Sequence, residues 1–319
     1  MPQVLSPEIF DCEFTPIQIL TIIIPCMDFL TRLKEPKPIL LDGATGTELT
    51  RRGVDTGLPL WSANALLTPE GEAVLRQIHL DYLQVGAEII TTNTFRTHTR
   101  ALAPSGNGKR AFELTQRAVT IAREAIAETQ NATQRFVAGS ISTLEGCYRP
   151  KDVPPDDECR TEHSERIHHL IECGVDLLLL ETFNTIREAV IAAKLATISG
   201  TPVIVSFVPD AFGHILSGET FSEAARQLLP LGVVALGVNC GPTPGLTVPL
   251  NELRDVCGFD FPLVAYGNIG SPDETIGWIN TDAEDPLAYC QYVTDWPVKI
   301  VGGCCGTTPA HIEHLKAVL

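Results

Sequence analysis

Positive charge is the first thing this sequence is short of: 23 Lys and Arg stand against 39 Asp and Glu in 319 residues, a formal net charge of −16. No basic stripe relieves the imbalance, so a role that depends on neutralising many phosphates is excluded, and nucleic acid as a partner with it. A long apolar run is missing as well. The stretch Ile17 to Pro25 is too short to span a bilayer, and the residues ahead of it include Glu8, Asp11 and Glu13 with no Lys or Arg. That argues against a signal peptide and against a membrane anchor. There is no evenly spaced cysteine framework either. The ten cysteines are mostly single within apolar or helical stretches, and two are adjacent, which points to reduced thiols in a cytoplasmic protein. No P-loop, dinucleotide fingerprint or Ser-His-Asp order is present.

What is there suits a compact globule: 44% of residues are hydrophobic and 19% charged. From Ile39 onward, short runs rich in Val, Ile and Leu alternate with segments of helical periodicity, the pattern of repeated βα units. Eight strands are expected, at Ile39–Leu41, Glu88–Thr92, Phe136–Ser140, Asp176–Glu181, Val203–Phe207, Val233–Asn239, Leu263–Tyr266 and Lys299–Gly302. Their near-continuous apolarity fits parallel strands covered on both faces. Helices are expected after each, among them Glu158–Cys173, Asp285–Thr294 and Pro309–Val318. Eight units in this order predict an α/β fold of the (β/α)8 TIM-barrel type rather than a doubly wound sheet, because closure removes both sheet edges. Residues 1–37 are read as an N-terminal extension and 38–319 as one barrel domain.

In such a barrel, active sites collect at the C-terminal ends of the strands. The candidates there are Asp42, Asn93, Glu181, Cys240, Asn268, Cys304 and Cys305. The strongest signal is Val301-Gly-Gly-Cys-Cys-Gly306, with paired thiols between glycines at a strand-to-helix turn. Adjacent cysteines are poorly placed for a mutual disulfide, whose Cα separation is about 5.5 Å or more against about 3.8 Å between neighbours. Shared metal ligation fits better, and Cys240 in Gly237-Val-Asn-Cys240 ends a strand separated from the last by only one other. Three thiolates without an obvious fourth ligand describe a catalytic zinc site, which keeps a position open. No catalytic residue beyond that metal site is expected. Cys12, Cys26, Cys147, Cys159, Cys173, Cys257 and Cys290 are read as small buried hydrophobes. His163, His168, His169, His311 and His314 are read as solvated helix residues.

At the first strand end, Asp42-Gly-Ala-Thr-Gly-Thr47 is a glycine-rich turn. Its backbone N–H groups, near Gly43 and Thr45, can cradle a carboxylate while Asp42 meets an ammonium group; it can equally be only a turn. Glu181, closing the apolar run from Asp176, needs a partner, either in a buried salt bridge or in amine recognition.

With these residues assembled, the chain resembles the homocysteine S-methyltransferase family over roughly Ile39 to Leu319. The marks are Asp42-Gly-Ala-Thr-Gly-Thr47, Leu60-Trp-Ser-Ala63, Thr91-Thr-Asn-Thr-Phe95, Glu181-Thr182, Gly237-Val-Asn-Cys240 and Gly302-Gly-Cys-Cys-Gly306. The resemblance implies zinc on Cys240, Cys304 and Cys305, and homocysteine sulfur in the open position. Asp42 with its turn, Asn93 and Glu181 are the implied substrate contacts, and Asn268 stands where the family carries an asparagine near the zinc. The implied partners are small molecules, homocysteine and a cationic methyl donor: S-methylmethionine or S-adenosylmethionine first. Betaine, a separate corrinoid protein and a non-catalytic zinc or thiol binding barrel are the alternatives, and association of identical chains is left open. Two segments depart from the family pattern, Gly139-Ser-Ile-Ser-Thr143 and Gly267 before Asn268, both on the face where a donor would dock.

Overall fold

The structure, a computed structural model, describes residues 29–129, 134–273, 277–279, 289–290 and 298–319. Its strands are β1 (Ile39–Leu40), β2 (Ile89–Thr91), β3 (Phe136–Ile141), β4 (Leu177–Phe183), β5 (Val203–Phe207), β6 (Ala235–Pro242), β7 (Leu263–Asn268), β8 (Ser271–Asp273), β9 (Gly277–Ile279) and β10 (Ile300–Gly303). Eight of them pair in the order β1-β10-β7-β6-β5-β4-β3-β2, and β8 with β9 form a separate antiparallel hairpin. All pairings in the large sheet are parallel, and a bridge between Leu41 and Ile89 joins β1 to β2 and closes the barrel. The eight expected strands are all found, Val203–Phe207 to the residue.

Strand alternation builds two cores. Leu177 and Leu179 join Ile39, Ile89, Phe136, Ile204, Val264 and Ile300 inside the barrel, while Leu178 and Leu180 face outward to the helices. Period-2 side-chain alternation requires this, and burial on both faces is why the first four residues of β4, Leu177–Leu180, include no polar residue. Each leucine is completely or almost completely buried, so truncation of one to Ala should cost about 2–5 kcal/mol.

Helices Pro69–Val85, Ala111–Glu128, Asp156–Glu172, Ile186–Thr197, Phe221–Leu228, Thr247–Cys257 and Pro309–Val318 cover the strands. Local chemistry fixes their starts: Thr68 accepts from Gly71 N at 3.1 Å with Pro69 in the first turn, and Thr220 forms a capping box with Glu223. The helix expected at Asp285–Thr294 lies outside the described residues, apart from Tyr289 and Cys290. No helix among the described residues is long and apolar enough to cross a membrane.

Residues 29–34, counted in the expected N-terminal extension, are helical and pack at the bottom of the barrel, and two expectations about histidines need correction. Phe29 is fully buried there against Phe136, with ring centroids 5.2 Å apart, and Arg32 pairs with Glu88 at 2.8 Å. The rest of the proposed extension, residues 1–28, lies outside the described residues. His163 is not solvated: it shares the inward stripe Cys159, His163, Arg166, Ile167, Leu170 and bonds Glu188 at 2.9 Å. His311 is also buried, its Nδ1 2.9 Å from the Thr308 hydroxyl at the start of the last helix. In both cases helical spacing puts a polar residue on the packed face, where a local partner makes burial tolerable.

Candidate metal centre and substrate cavity

β6 and β10 deliver the three predicted cysteines to one point. The sulfur atoms of Cys240, Cys304 and Cys305 all lie within 4.8 Å of one another, and Cys240 Sγ is 3.8 Å from Cys305 Sγ. Thiolates at tetrahedral positions around a common centre about 2.3 Å away would sit about 3.8 Å apart, so the donor set and its spacing fit a soft metal ion. No other group of His, Cys, Asp or Glu with this character is found among the described residues.

Backbone irregularity does the aiming. The β6–β7 register breaks between Asn239 and Pro242, and Cys240 inside that break takes φ +56°. The β4–β5 register breaks between Leu180 and Phe183, and Thr182 takes φ +59°. A positive φ in a non-glycine residue costs free energy, and here it turns Cys240 and the residue beside Glu181 toward the cavity instead of along the ladder. At β10 two glycines let the chains close up: a Cβ on Gly303 would meet Thr307 Oγ1 at 2.3 Å, and one on Gly306, at φ +85°, would lie 1.8 Å from Ile269 O.

A hydrogen-bonded set behind the thiols holds them. Asn239 Oδ1 accepts from Thr182 N (2.9 Å) and Ser206 Oγ (2.8 Å), while its Nδ2 donates to Thr182 Oγ1 (2.7 Å) and faces Cys304 Sγ at 3.8 Å. Asn268 Nδ2 donates to the Cys240 carbonyl at 2.8 Å. Tyr148, from the loop after β3, puts its hydroxyl 3.0 Å from Cys240 Sγ. Among the three thiols charge is shared unequally: hydrogen bonds from Cys304 and Cys305, and a lesser one from Tyr148, push Cys240 well below the usual thiol range, while contact with Cys240 drives the other two up.

Above the sulfurs opens a cavity of about 540 Å³. Asp42, Gly43, Thr45, Asn93 and Glu181 line it with the three cysteines, whereas Asn268 stands behind Cys240 and is not part of the lining. Asp42 accepts from Thr91 N (2.7 Å) and Thr91 Oγ1 (2.8 Å), and Glu181 from Ser140 Oγ (2.5 Å) and Tyr266 OH (3.2 Å). Neither carboxylate has a cationic partner among the described residues, so the buried salt bridge weighed for Glu181 is not what holds it. Burial pushes each carboxyl up to about 7, against hydrogen bonds that pull it down, and the charge of Glu181 raises Asp42 further. Asn93 Nδ2 donates to Ser62 O at 2.8 Å and so ties the β2 loop to the Trp61 segment. Gly43 is required sterically, since a Cβ there would fall 2.7 Å from Tyr82 OH.

Four aromatic side chains also line the cavity, Trp61, Phe95, Tyr148 and Trp278, with Tyr148 and Trp278 ring centroids 6.5 Å apart. Cys147 also lines the cavity and is therefore not the plain core cysteine expected from the sequence; burial pushes its thiol up to about 12. Phe95, Cys147 and Tyr148 sit on loops, where no periodicity marks them, while Trp61 opens a 3-10 helix and Trp278 lies in a three-residue strand too short to show one. Asn239 and Tyr266 were legible in principle, as polar-tipped residues ending otherwise apolar strands.

Comparison with known proteins agrees with this geometry. The chain is 31% identical to a homocysteine S-methyltransferase of Escherichia coli (strain K12) over 298 residues, 88% of this chain and 94% of the relative. It is 30% identical to a selenocysteine methyltransferase of Astragalus bisulcatus over 315 residues, 88% of this chain and 92% of that one. Among solved structures it resembles the metallated form of the homocysteine methyltransferase MmuM from Escherichia coli, with a TM-score of 0.78, 28% identity and coverage of 92% of this chain and 100% of that chain. The family model described as homocysteine S-methyltransferase matches residues 39–319, the whole barrel with its thiol cluster, and the chain belongs to that family.

Proposed function

We propose that this chain moves a methyl group from a cationic sulfonium donor, S-methylmethionine or S-adenosylmethionine, to the sulfur of homocysteine, with a zinc ion held by Cys240, Cys304 and Cys305. The convergence of three thiols at the floor of a cavity with acidic and aromatic walls carries this reading. Zinc bound by three thiolates lowers the pKa of a fourth, substrate thiol and keeps it an electron-rich nucleophile near neutral pH.

The protein's own residues supply the rest. Asp42 and Glu181, each without a cation partner, hold the homocysteine ammonium group, and the turn from Gly43 to Thr45 takes its carboxylate. The aromatic faces of Trp61, Tyr148 and Trp278 favour a sulfonium by cation–π attraction and exclude water around it. The thiol proton is released to solvent before transfer. A carbon–sulfur bond then forms to homocysteine as the donor's methyl–sulfur bond breaks, and that bond's electron pair stays on the donor sulfur, which departs as a neutral thioether. Alignment of the two sulfurs with the methyl carbon accounts for the part of the rate that thiolate formation does not.

Methionine formation by the zinc-loaded protein, with homocysteine and S-methylmethionine, S-adenosylmethionine or betaine in separate reactions, tests the reading beside a Cys304→Ala control. Turnover with a sulfonium, lost together with bound zinc in the control, supports it. Silence with both sulfoniums despite bound zinc rejects it, and turnover with betaine alone reassigns the donor.

A further inference from the structure

Two cationic side chains line the cavity among the described residues, Arg96 and Arg149. Arg149 is already paired with Asp152 at 2.6 Å. Arg96, on the loop after β2, has no ion-pair or hydrogen-bond partner among the described residues, and its Nε is buried with no acceptor. A buried guanidinium donor left without an acceptor is costly, so an arginine kept in this state on the wall of a substrate cavity needs a ligand that completes it.

The cavity's own acids do not fill that role. Glu145 is taken by Arg100 at 2.9 Å, Asp42 by Thr91, and Glu181 by Ser140 and Tyr266. Nearby charge sharpens the demand. Arg166, buried close by, spends its donors on the Ser142 carbonyl (2.6 Å) and hydroxyl (3.2 Å), and Arg96 adds to the positive field on it and on the buried His98. On the His98 side the charges that act are all cationic, from Arg166, Arg96, His163 and Arg100, although Glu188 and Glu162 also act on Arg166. The backbone is also preset: the Phe95 carbonyl accepts from Ser142 Oγ at 2.7 Å, and the Thr97 hydroxyl meets that of Thr115 at 2.7 Å. With the backbone fixed on both sides of Arg96, only its side chain has to order on a carboxylate.

We propose that Arg96 is the donor-selecting residue of this cavity: it takes the carboxylate of an amino-acid-type sulfonium and so favours such donors over sulfoniums that lack one. The assignment rests on the function proposed above, in which the Asp42 turn already accommodates the carboxylate of homocysteine. Arg96 acts on the donor's distal end, away from the transferred methyl, so its contribution is to donor capture.

The test compares kcat/KM for S-methylmethionine and for its decarboxylated counterpart, (3-aminopropyl)dimethylsulfonium, at saturating homocysteine, in the zinc-loaded wild type and in Arg96→Met, which keeps the stem and drops the charge. Wild type should prefer the carboxylated donor by about 10- to 100-fold, the range that a charge-assisted hydrogen bond supports. Arg96→Met should raise the KM for S-methylmethionine and leave the decarboxylated donor unchanged, so that the preference collapses, and Arg96→Lys should restore part of it. A merely structural arginine would slow both donors alike; that result, or a rise in the KM for homocysteine instead of the donor, overturns the assignment. Turnover with an undiminished preference in Arg96→Met overturns this assignment alone, whereas a wild type inert with both sulfoniums overturns it together with the proposed function.

Discussion

Homocysteine binding should weaken steeply below neutral pH, and the cause lies in Asp42 and Glu181. Burial pushes both carboxyls up to about 7, and both must be ionised to hold an ammonium group. One pH unit below that value about a tenth of each group is ionised, and about a hundredth of the molecules carry both charges. The KM for homocysteine at saturating donor should therefore climb below pH 7 with a slope, in log KM per pH unit, that these two groups raise by about two. The proton of the substrate thiol adds its own slope, but identically in wild type and variants, so it cancels in the comparison. Asp42→Asn and Glu181→Gln should each bind homocysteine more weakly at pH 8 and lose about one from the slope below pH 7. Initial rates across this range measure both quantities, and a slope shared by all three proteins would refute the reasoning. Stability gives an independent reading. The Glu181 carboxyl is raised from 4.5 to about 7 on folding, so its contribution is fully present below pH 4.5 and is lost as pH rises through 7. At pH 8 the ligand-free wild type should bear a cost of up to about 3 kcal/mol that Glu181→Gln avoids, because glutamine Oε1 still accepts from Ser140 and its Nε2 can donate to the Tyr266 hydroxyl, reversing the bond that Glu181 accepts there. The variant should melt higher at pH 8 and no higher at pH 4.

Tyr148→Phe removes the hydroxyl that sits 3.0 Å from Cys240 Sγ, and zinc affinity measured by chelator competition should fall by about 10- to 100-fold with the fold unchanged. Asn239→Ala leaves buried donors on Thr182 and Ser206 without their acceptor and should destabilise the protein by about 3 kcal/mol in denaturant unfolding; a loss under about 1 kcal/mol would contradict the network. Gly306→Ala forces a Cβ against Ile269 O at a left-handed φ, and the purified variant should carry little zinc or fail to accumulate in soluble form. Cysteine, one methylene shorter than homocysteine, should be methylated with a kcat/KM lower by about 10- to 200-fold, since the carboxylate and thiol walls are set at a fixed separation; equal rates would remove the case for Asp42 and Glu181 as the amine site.

The barrel was legible because parallel strands buried on both faces must be apolar throughout: runs such as Leu177–Leu180 cannot be much else. The thiol cluster was legible for a related reason, since paired cysteines between glycines at a strand end have few structural uses. Loops carry no such signature. Tyr148 comes from the loop after β3 to lie 3.0 Å from Cys240 Sγ although 92 residues separate them in the chain, and Arg96 differs from any surface arginine only in what surrounds it. His163 was misread because its own helix is polar overall, and only its spacing with Cys159, Arg166 and Leu170 marks it as inward.

The residues that sequence reasoning missed also explain why the ones it found can act together. Cys304 faces Asn239, Asn239 accepts from Ser206, Ser206 meets Tyr266 at 2.8 Å, and Tyr266 reaches Glu181, which Ser140 holds from the other side. A buried run of close polar contacts thus links β3, β4, β5, β6 and β7 to Cys304 just after β10, tying the thiol wall to the acidic wall of the cavity. Each member sits at or near a strand's C-terminal end, where the ladder is about to stop and a register break or a positive φ can be absorbed without disturbing the core below. In the function proposed above, a homocysteine held at its sulfur by one wall and at its ammonium group by the other would be positioned by that one frame, and misalignment of either sulfur with the transferred methyl carbon would cost rate directly.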